Sequence, residues 1–214
     1  MVESIRATSR ALGFGGTYYA LHIRRGDFQY KSVKLPASDI VRNLRGTALI
    51  PRGSLVYVAT DDPDGTCEHC KADGKPCPAP TRDGVQKIPQ GCMADPSWDA
   101  FWRNGWVLVF ARNFTTSHHS NVAGALQTDN THLNPNYLGL IEIIVCARAE
   151  IFAGTWFSTF TGYIHRLRGY HGRGEQTYYH SNGKVDAPRL PQSIGAGYAR
   201  EWRIGWEDDE GGLI

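Results

Sequence analysis

The sequence predicts an α/β domain built on a doubly wound parallel sheet, and three observations carry that expectation. Short apolar, β-branched runs recur at 18–24 (YYALHIR), 54–60 (SLVYVAT), 106–111 (WVLVFA) and 149–153 (AEIFA). Stretches with helical spacing separate them, and strands alternating with helices pair in parallel through right-handed crossovers. Polar clusters follow the runs, at the carboxyl ends where open parallel sheets receive ligands.

A glycine cluster, Gly13 to Gly16, leads into the first strand. Residues 35–49 form the helix after it, with Ser38 as N-cap, Asp39 in the first turn and Ile40, Val41, Leu44 and Ala48 on its apolar side. The second strand ends at Asp61-Asp62-Pro63, and residues 64–92 form an irregular insert rich in Gly, Pro, Cys and charge. Asp95-Pro96 has the signature of an N-cap and first helical residue, for a helix reaching Asn104. Asn134-Pro135 repeats it, before Tyr137, Leu138, Ile141, Ile144 and Val145 at helical spacing. Residues 149–153 are the fourth strand, Gly154 its turn, and 157–168 a helix stopped by Gly169, burying Phe160, Tyr163, Ile164 and Leu167. The domain spans 1–170, and the tail 171–214 has no clear period and reads as a surface wrap with a frayed, acidic end.

Composition narrows function. The 23 Lys+Arg against 21 Asp+Glu leave a net charge of +2, too little for the basic face of a backbone-driven nucleic-acid binder. The longest apolar stretch, 137–147, is interrupted by Glu142, where a membrane span needs about 20 apolar residues. Residues 1–10 are polar and mixed in charge, without the pattern of a secretory signal. No Walker loop, GxGxxG, nucleophile elbow or HExxH is present.

Four clusters could carry chemistry. Arg24 and Arg25 leave a strand beside Gly26 and Asp27, which suits bidentate capture of phosphate or carboxylate or, more plainly, an Arg–Asp surface pair. Arg25-Gly26-Asp27 also spells an adhesion tripeptide, a match short enough to arise by chance. Ser158, Thr159 and Phe160 open a helix whose free N–H groups form an anion site, although Ser158 also suits simple capping. Asp61 and Asp62 could hold Mg²⁺, bind sugar hydroxyls or cap a turn. Cys67, Cys70, Cys77 and Cys92 fit two disulfides or a zinc site, since only the first pair has CxxC spacing. Asn113-Phe114-Thr115 is a formal glycosylation sequon.

Taken in order, His22-x-Arg24-Arg25-x-Asp27, Thr60-Asp61-Asp62-Pro63, an acidic position in an apolar helix and Ser158-Thr159-Phe160 resemble the GDP-fucose fucosyltransferase superfamily, which includes the α1,6- and protein O-fucosyltransferases. The resemblance covers about residues 17–170 and corresponds to the C-terminal, donor-binding half of a two-domain GT-B enzyme. It implies that Arg24 contacts the donor β-phosphate and supports departure of GDP, with Arg25, Gly26 and Asp27 beside it. It further implies that His22 and Glu142 meet guanine, that Asp61 and Asp62 lie near the donor, and that Ser158, Thr159 and Phe160 surround the phosphates. Glu142 stands where the family has an aspartate, 16 residues before the serine. The implied reaction inverts the anomeric centre and uses no metal or other cofactor, with GDP-fucose as donor and a protein or glycan as acceptor, in the endoplasmic reticulum or Golgi lumen. The glutamate that α1,6 members carry ten residues past the histidine is Ser32 here, in a loop with Lys31 and Lys34. Two other classes stay open: an inactive GDP-sugar-binding module, and a zinc-binding scaffold organised by the cysteine insert.

Overall fold

The computed structural model describes residues 1–26, 34–47, 49–65, 97–115, 135–155, 158–173, 177–181 and 184–186. Its sheet is built from β1 (Tyr19–Ile23), β2 (Leu55–Thr60), β3 (Val107–Val109), β4 (Phe152–Thr155), β5 (Thr177–Ser181) and β6 (Lys184–Asp186). Strand order is β3-β2-β1-β4-β5-β6, parallel throughout except for the antiparallel β5–β6 pair. The helices are α1 (Val2–Ala11), α2 (Ala37–Thr47), α3 (Asp99–Arg103), α4 (Arg112–Thr115), α5 (Leu138–Arg148) and α6 (Thr159–Tyr170). This is an α/β architecture, as the alternating pattern predicts.

Strand alternation divides the core. Leu21, Ile23, Val56, Val58 and Leu108 face one side, where Ile40 and Leu44 of α2 and Phe101 of α3 cover them. Ala20, Tyr57, Ala59, Val109 and Phe152 face the other, against Ile5 of α1, Val145 and Cys146 of α5 and Ile164 of α6. Both faces of the central strands are therefore buried, which is why they read as continuous apolar runs.

Several expected boundaries move. Ser38 lies inside α2, and the carbonyl of Pro36 accepts the N–H groups of Asp39 and Ile40 at 3.0 and 3.2 Å. The fourth strand starts three residues later than the apolar run, so Gly154 is a strand residue and not a turn. Residues 149–151 instead close the end of α5: Tyr18 carbonyl accepts Glu150 N–H at 2.9 Å and Ile151 carbonyl accepts Ala20 N–H at 3.0 Å. In α6 the buried face is Thr161, Ile164, His165, Arg168 and Gly169, one position on from the predicted stripe, and Tyr163 is about half exposed. Gly169 does not stop this helix, which runs on to Tyr170. Within the stretch read as a surface wrap, β5 pairs with β4 and extends the sheet. The helix start at Asp95-Pro96 lies outside the described residues.

The rotation of α6 has a cause in Arg168. Its guanidinium is fully buried and donates from Nη1 to the carbonyls of Cys146, Ala147 and Ala149 at 3.3, 3.2 and 2.7 Å, and from Nη2 to that of Glu150 at 3.0 Å. Cys146 and Ala147 belong to the last turn of α5, Ala149 is its C-cap and Glu150 the residue after, so the guanidinium gathers the carbonyls around this helix end, where a cation also complements the helix dipole. Burial lowers the guanidinium pKa to about 10, with Arg173 adding to the effect, so it stays protonated at neutral pH. An apolar side chain cannot replace those donors. Arg168→Met is expected to destabilise the protein by about 3 kcal/mol, because several buried carbonyls lose their partner together. Urea denaturation measures this, and a loss below about 1 kcal/mol would show that water replaces the guanidinium.

Candidate functional site

A cleft of about 400 Å³ opens at the carboxyl ends of β1, β2 and β4, lined by His22, Arg24, Thr60, Asp61, Glu142, Ser158, Thr159 and Phe160. It lies beside the β1–β4 pair, where the sheet order reverses, the position at which open α/β sheets bind ligands. Residues distant in sequence meet here because all but Glu142, which comes from α5, follow or flank a strand end. The lining unites His22, Arg24, Asp61, Glu142, Ser158, Thr159 and Phe160 from the sequence-derived set and adds Thr60.

Sheet register creates the room. His22 is paired with Ala59 on one side and Gly154 on the other, so the imidazole stands between two small neighbours. Its Nδ1 lies 2.7 Å from Thr161 Oγ1, and its ring is tilted 39° against Phe160 at a centroid distance of 4.7 Å. The Thr155 hydroxyl donates to the His22 carbonyl at 3.1 Å and accepts the Arg24 N–H at 3.0 Å, tying the exit of β1 to the end of β4. A Cβ on Gly154 would stand 2.6 Å from Thr161 Oγ1 and 2.9 Å from Phe152 Cζ, and closer still to Thr161 Cγ2.

Asp61 organises the segment after β1. Its Oδ1 accepts Arg25 N–H at 2.9 Å, and Oδ2 accepts Gly26 N–H at 2.8 Å while pairing with Arg24 Nη1 at 3.0 Å. Lys34 Nζ donates to the Gly26 carbonyl from the other side of that segment. The two arginines then diverge. Arg24 is partly exposed in the cleft lining, whereas Arg25 turns into the protein, 3.4 Å from Asp62 Oδ2 and with its guanidinium 3.5 Å over the Trp98 ring. Arg25 and Asp62 are thus a buried structural pair beside the cleft and not part of its lining, because Trp98 and Asp62 together accommodate the second cation. Gly26 lies behind Asp61.

Ser158 is the N-cap of α6 in extended conformation, and Thr159 and Phe160 are its first residues, so the N-terminal N–H groups and positive dipole end border the cleft. No side-chain capping bond is made by Ser158, so its predicted hydroxyl cap is not observed. Glu142 reaches the opposite wall from α5. Burial raises its carboxyl pKa to about 7, against the opposing effect of a 3.1 Å hydrogen bond donated by Tyr57 to Oε1. Among the described residues no group of three or more His, Cys, Asp or Glu side chains could hold a metal ion.

Asp27 and the four cysteines of the insert, Cys67, Cys70, Cys77 and Cys92, lie outside the described residues, as do Lys31 and Ser32. Asn113 of the sequon accepts the Phe110 N–H at 2.7 Å through Oδ1. Thr155, Thr161 and Tyr57 are the supporting residues that sequence reasoning passed over. The two threonines flank the Ser158–Phe160 helix start in sequence, whereas Tyr57 shares strand parity with Ala59 and signals only burial. Among the described residues no helix is long and apolar enough to cross a membrane. No model of a known protein family matches the chain, and no curated protein matches it.

Two outcomes test this geometry. Gly154→Ala should cost about 2–4 kcal/mol by overpacking, with part of the loss recovered in the Gly154→Ala/Thr161→Ala double variant, a coupling readable by urea denaturation. Equal, additive losses would show that the strand moves aside freely. The raised Glu142 pKa means that the folded protein holds a proton between about pH 4.5 and 7 that the unfolded chain releases, so this group subtracts stability as pH rises through that window. Glu142→Gln should therefore be more stable than wild type at pH 8, on the order of 2 kcal/mol, with the difference fading toward pH 4.5. Parallel stability curves for the two proteins would contradict the raised pKa.

Proposed function

We propose that this chain is the donor-binding domain of a GDP-fucose-dependent fucosyltransferase, the C-terminal half of an inverting GT-B enzyme. The observation that carries the proposal is the convergence on one cleft of His22, Arg24, Asp61, Glu142, Ser158, Thr159 and Phe160, seven residues that the superfamily resemblance singles out. Their chemistry is divided as a nucleoside diphosphate requires. Arg24 and the α6 N-terminus supply a cation and N–H donors for phosphate oxygens. Glu142 supplies a carboxylate for the N1–H and 2-amino donors of guanine, a pair of donors that adenine lacks. His22 offers a flat face near the base, and Phe160, against the His22 ring, lies with Ser158 and Thr159 on the phosphate side.

In the reaction, the bond between fucose C1 and the β-phosphate oxygen breaks and its electron pair leaves with GDP. The acceptor hydroxyl attacks C1 from the opposite face and gives its proton to a base or to water. Charge grows on the β-phosphate as the sugar becomes cationic, so a fixed guanidinium and oriented N–H groups stabilise the transition state more than the ground state. Asp61 keeps Arg24 in place through Nη1. The cation and donors perform the service that a divalent metal performs elsewhere. Ser32, in place of a glutamate, favours a second reading, a GDP-sugar-binding module that does not turn over.

Isothermal titration with GDP separates these from unrelated functions. Arg24→Ala should weaken binding at least tenfold, about 1.4 kcal/mol, and Arg24→Lys should restore little because a point charge replaces a planar fork. EDTA should leave the affinity unchanged. Guanosine binding as tightly as GDP would remove the phosphate role of Arg24. Transfer of labelled fucose from GDP-fucose to peptide or glycan acceptors then distinguishes enzyme from binder.

A further inference from the structure

We propose that Tyr57 is a positioning residue for base recognition: its hydroxyl holds the Glu142 carboxylate in the form and orientation that accept two donors from a ligand. The inference rests on the cleft being a guanine-nucleotide site. Tyr57 lies in the middle of β2, fully buried, on the same face as Ala59 and His22. Its ring lies beneath α5, and its hydroxyl emerges 3.1 Å from Glu142 Oε1, at the wall of the cleft. A phenylalanine would fill the same volume, so the hydroxyl is the part of this side chain that acts on the site.

The chemistry gives that hydroxyl a function. An ionised carboxylate accepts at both oxygens, whereas the protonated acid presents one donor and one acceptor and mismatches a two-donor base edge. Burial drives Glu142 toward the protonated form and the Tyr57 hydrogen bond opposes it. The phenol itself is pushed well above its ordinary range by burial and by Glu142, so it keeps its proton and remains a donor. Of the other groups around this pair, the Tyr18 phenol next to β1 is pushed up by burial and donates to the Val145 carbonyl at 2.8 Å. Cys146, one turn along α5, is pushed up by burial and stays a neutral thiol. Met1, at the start of α1, places its thioether 3.9 Å from the Tyr57 hydroxyl. His22 and Arg24, from β1 and its exit, share the cleft with Glu142. On α6, Arg168 is committed to the carbonyls at the far end of α5.

The test uses the full chain and its Tyr57→Phe variant, with GDP titrated calorimetrically from pH 6 to 9 and the fold checked by circular dichroism. Wild-type affinity should rise with pH through a midpoint near pH 7 and level off above about pH 8. In Tyr57→Phe the midpoint should move up by about one unit, with affinity about fivefold lower at pH 7 and approaching wild type at pH 9. A uniform loss across the whole pH range with an unchanged midpoint would mean a packing role only and overturn the proposal. If neither protein binds GDP, the nucleotide reading fails separately. Carbon-13 NMR titration of the Glu142 carboxyl in the ligand-free proteins then decides the Tyr57 role. A higher value in the variant supports the hydrogen-bond control, and equal values overturn it.

Discussion

The cleft depends on how closely α6 can approach the end of β4, and Gly154 sets that distance. Any larger residue would push Thr161 away, and Thr161 is the partner of His22. The same approach brings the first turn of α6 level with Arg24, whose backbone is held by Thr155. Glycine here does not serve a turn. It removes one methyl group where a strand and a helix must nearly touch, and a histidine, a threonine pair and a helix N-terminus fall into register as a result.

That constraint also explains which parts of the architecture were legible in the sequence. Buried parallel strands announce themselves as apolar runs, and β1 to β4 stand at those runs. The fourth is displaced because Ala149, though buried, serves the end of α5, and apolar periodicity cannot separate a buried cap from a buried strand. The stripe on α6 was misplaced by one residue for a related reason. Its buried side carries Thr161, His165 and Arg168, polar residues that look solvent-facing until their partners are known. Helix α1 escaped notice for the same cause: Thr8 and Ser9 are buried, and their hydroxyls donate to the carbonyls of Ser4 and Thr17. Buried polar groups satisfied by backbone are invisible to a hydrophobic count.

The site residues were legible to a greater degree because they sit at strand ends, where the topology allows few arrangements. The family resemblance placed Arg24 at the donor with Arg25 beside it, but the residue types alone, adjacent and chemically identical, do not separate the two. Only the tertiary placement of Trp98 and Asp62 gives one of them a buried partner and leaves the other at the cleft. Glu142 was legible as an anomaly, an acid in an apolar helix. Tyr57, whose hydroxyl reaches the Glu142 carboxyl, belongs to β2 and carries no local signal at all.

The two margins of the sheet have a consequence for association between molecules. Among the described residues the outermost strands, β3 and β6, are each three residues long, and β6 has Lys184 and Asp186 at its ends. A long, flat, apolar margin offers its unpaired N–H and C=O groups to any neighbouring chain and invites fibrous stacking. Short margins, one of them ending in charge, offer little length for such pairing. The strongly apolar β1 and β2 stand in the interior of the sheet, where their capacity to aggregate is already spent on one another.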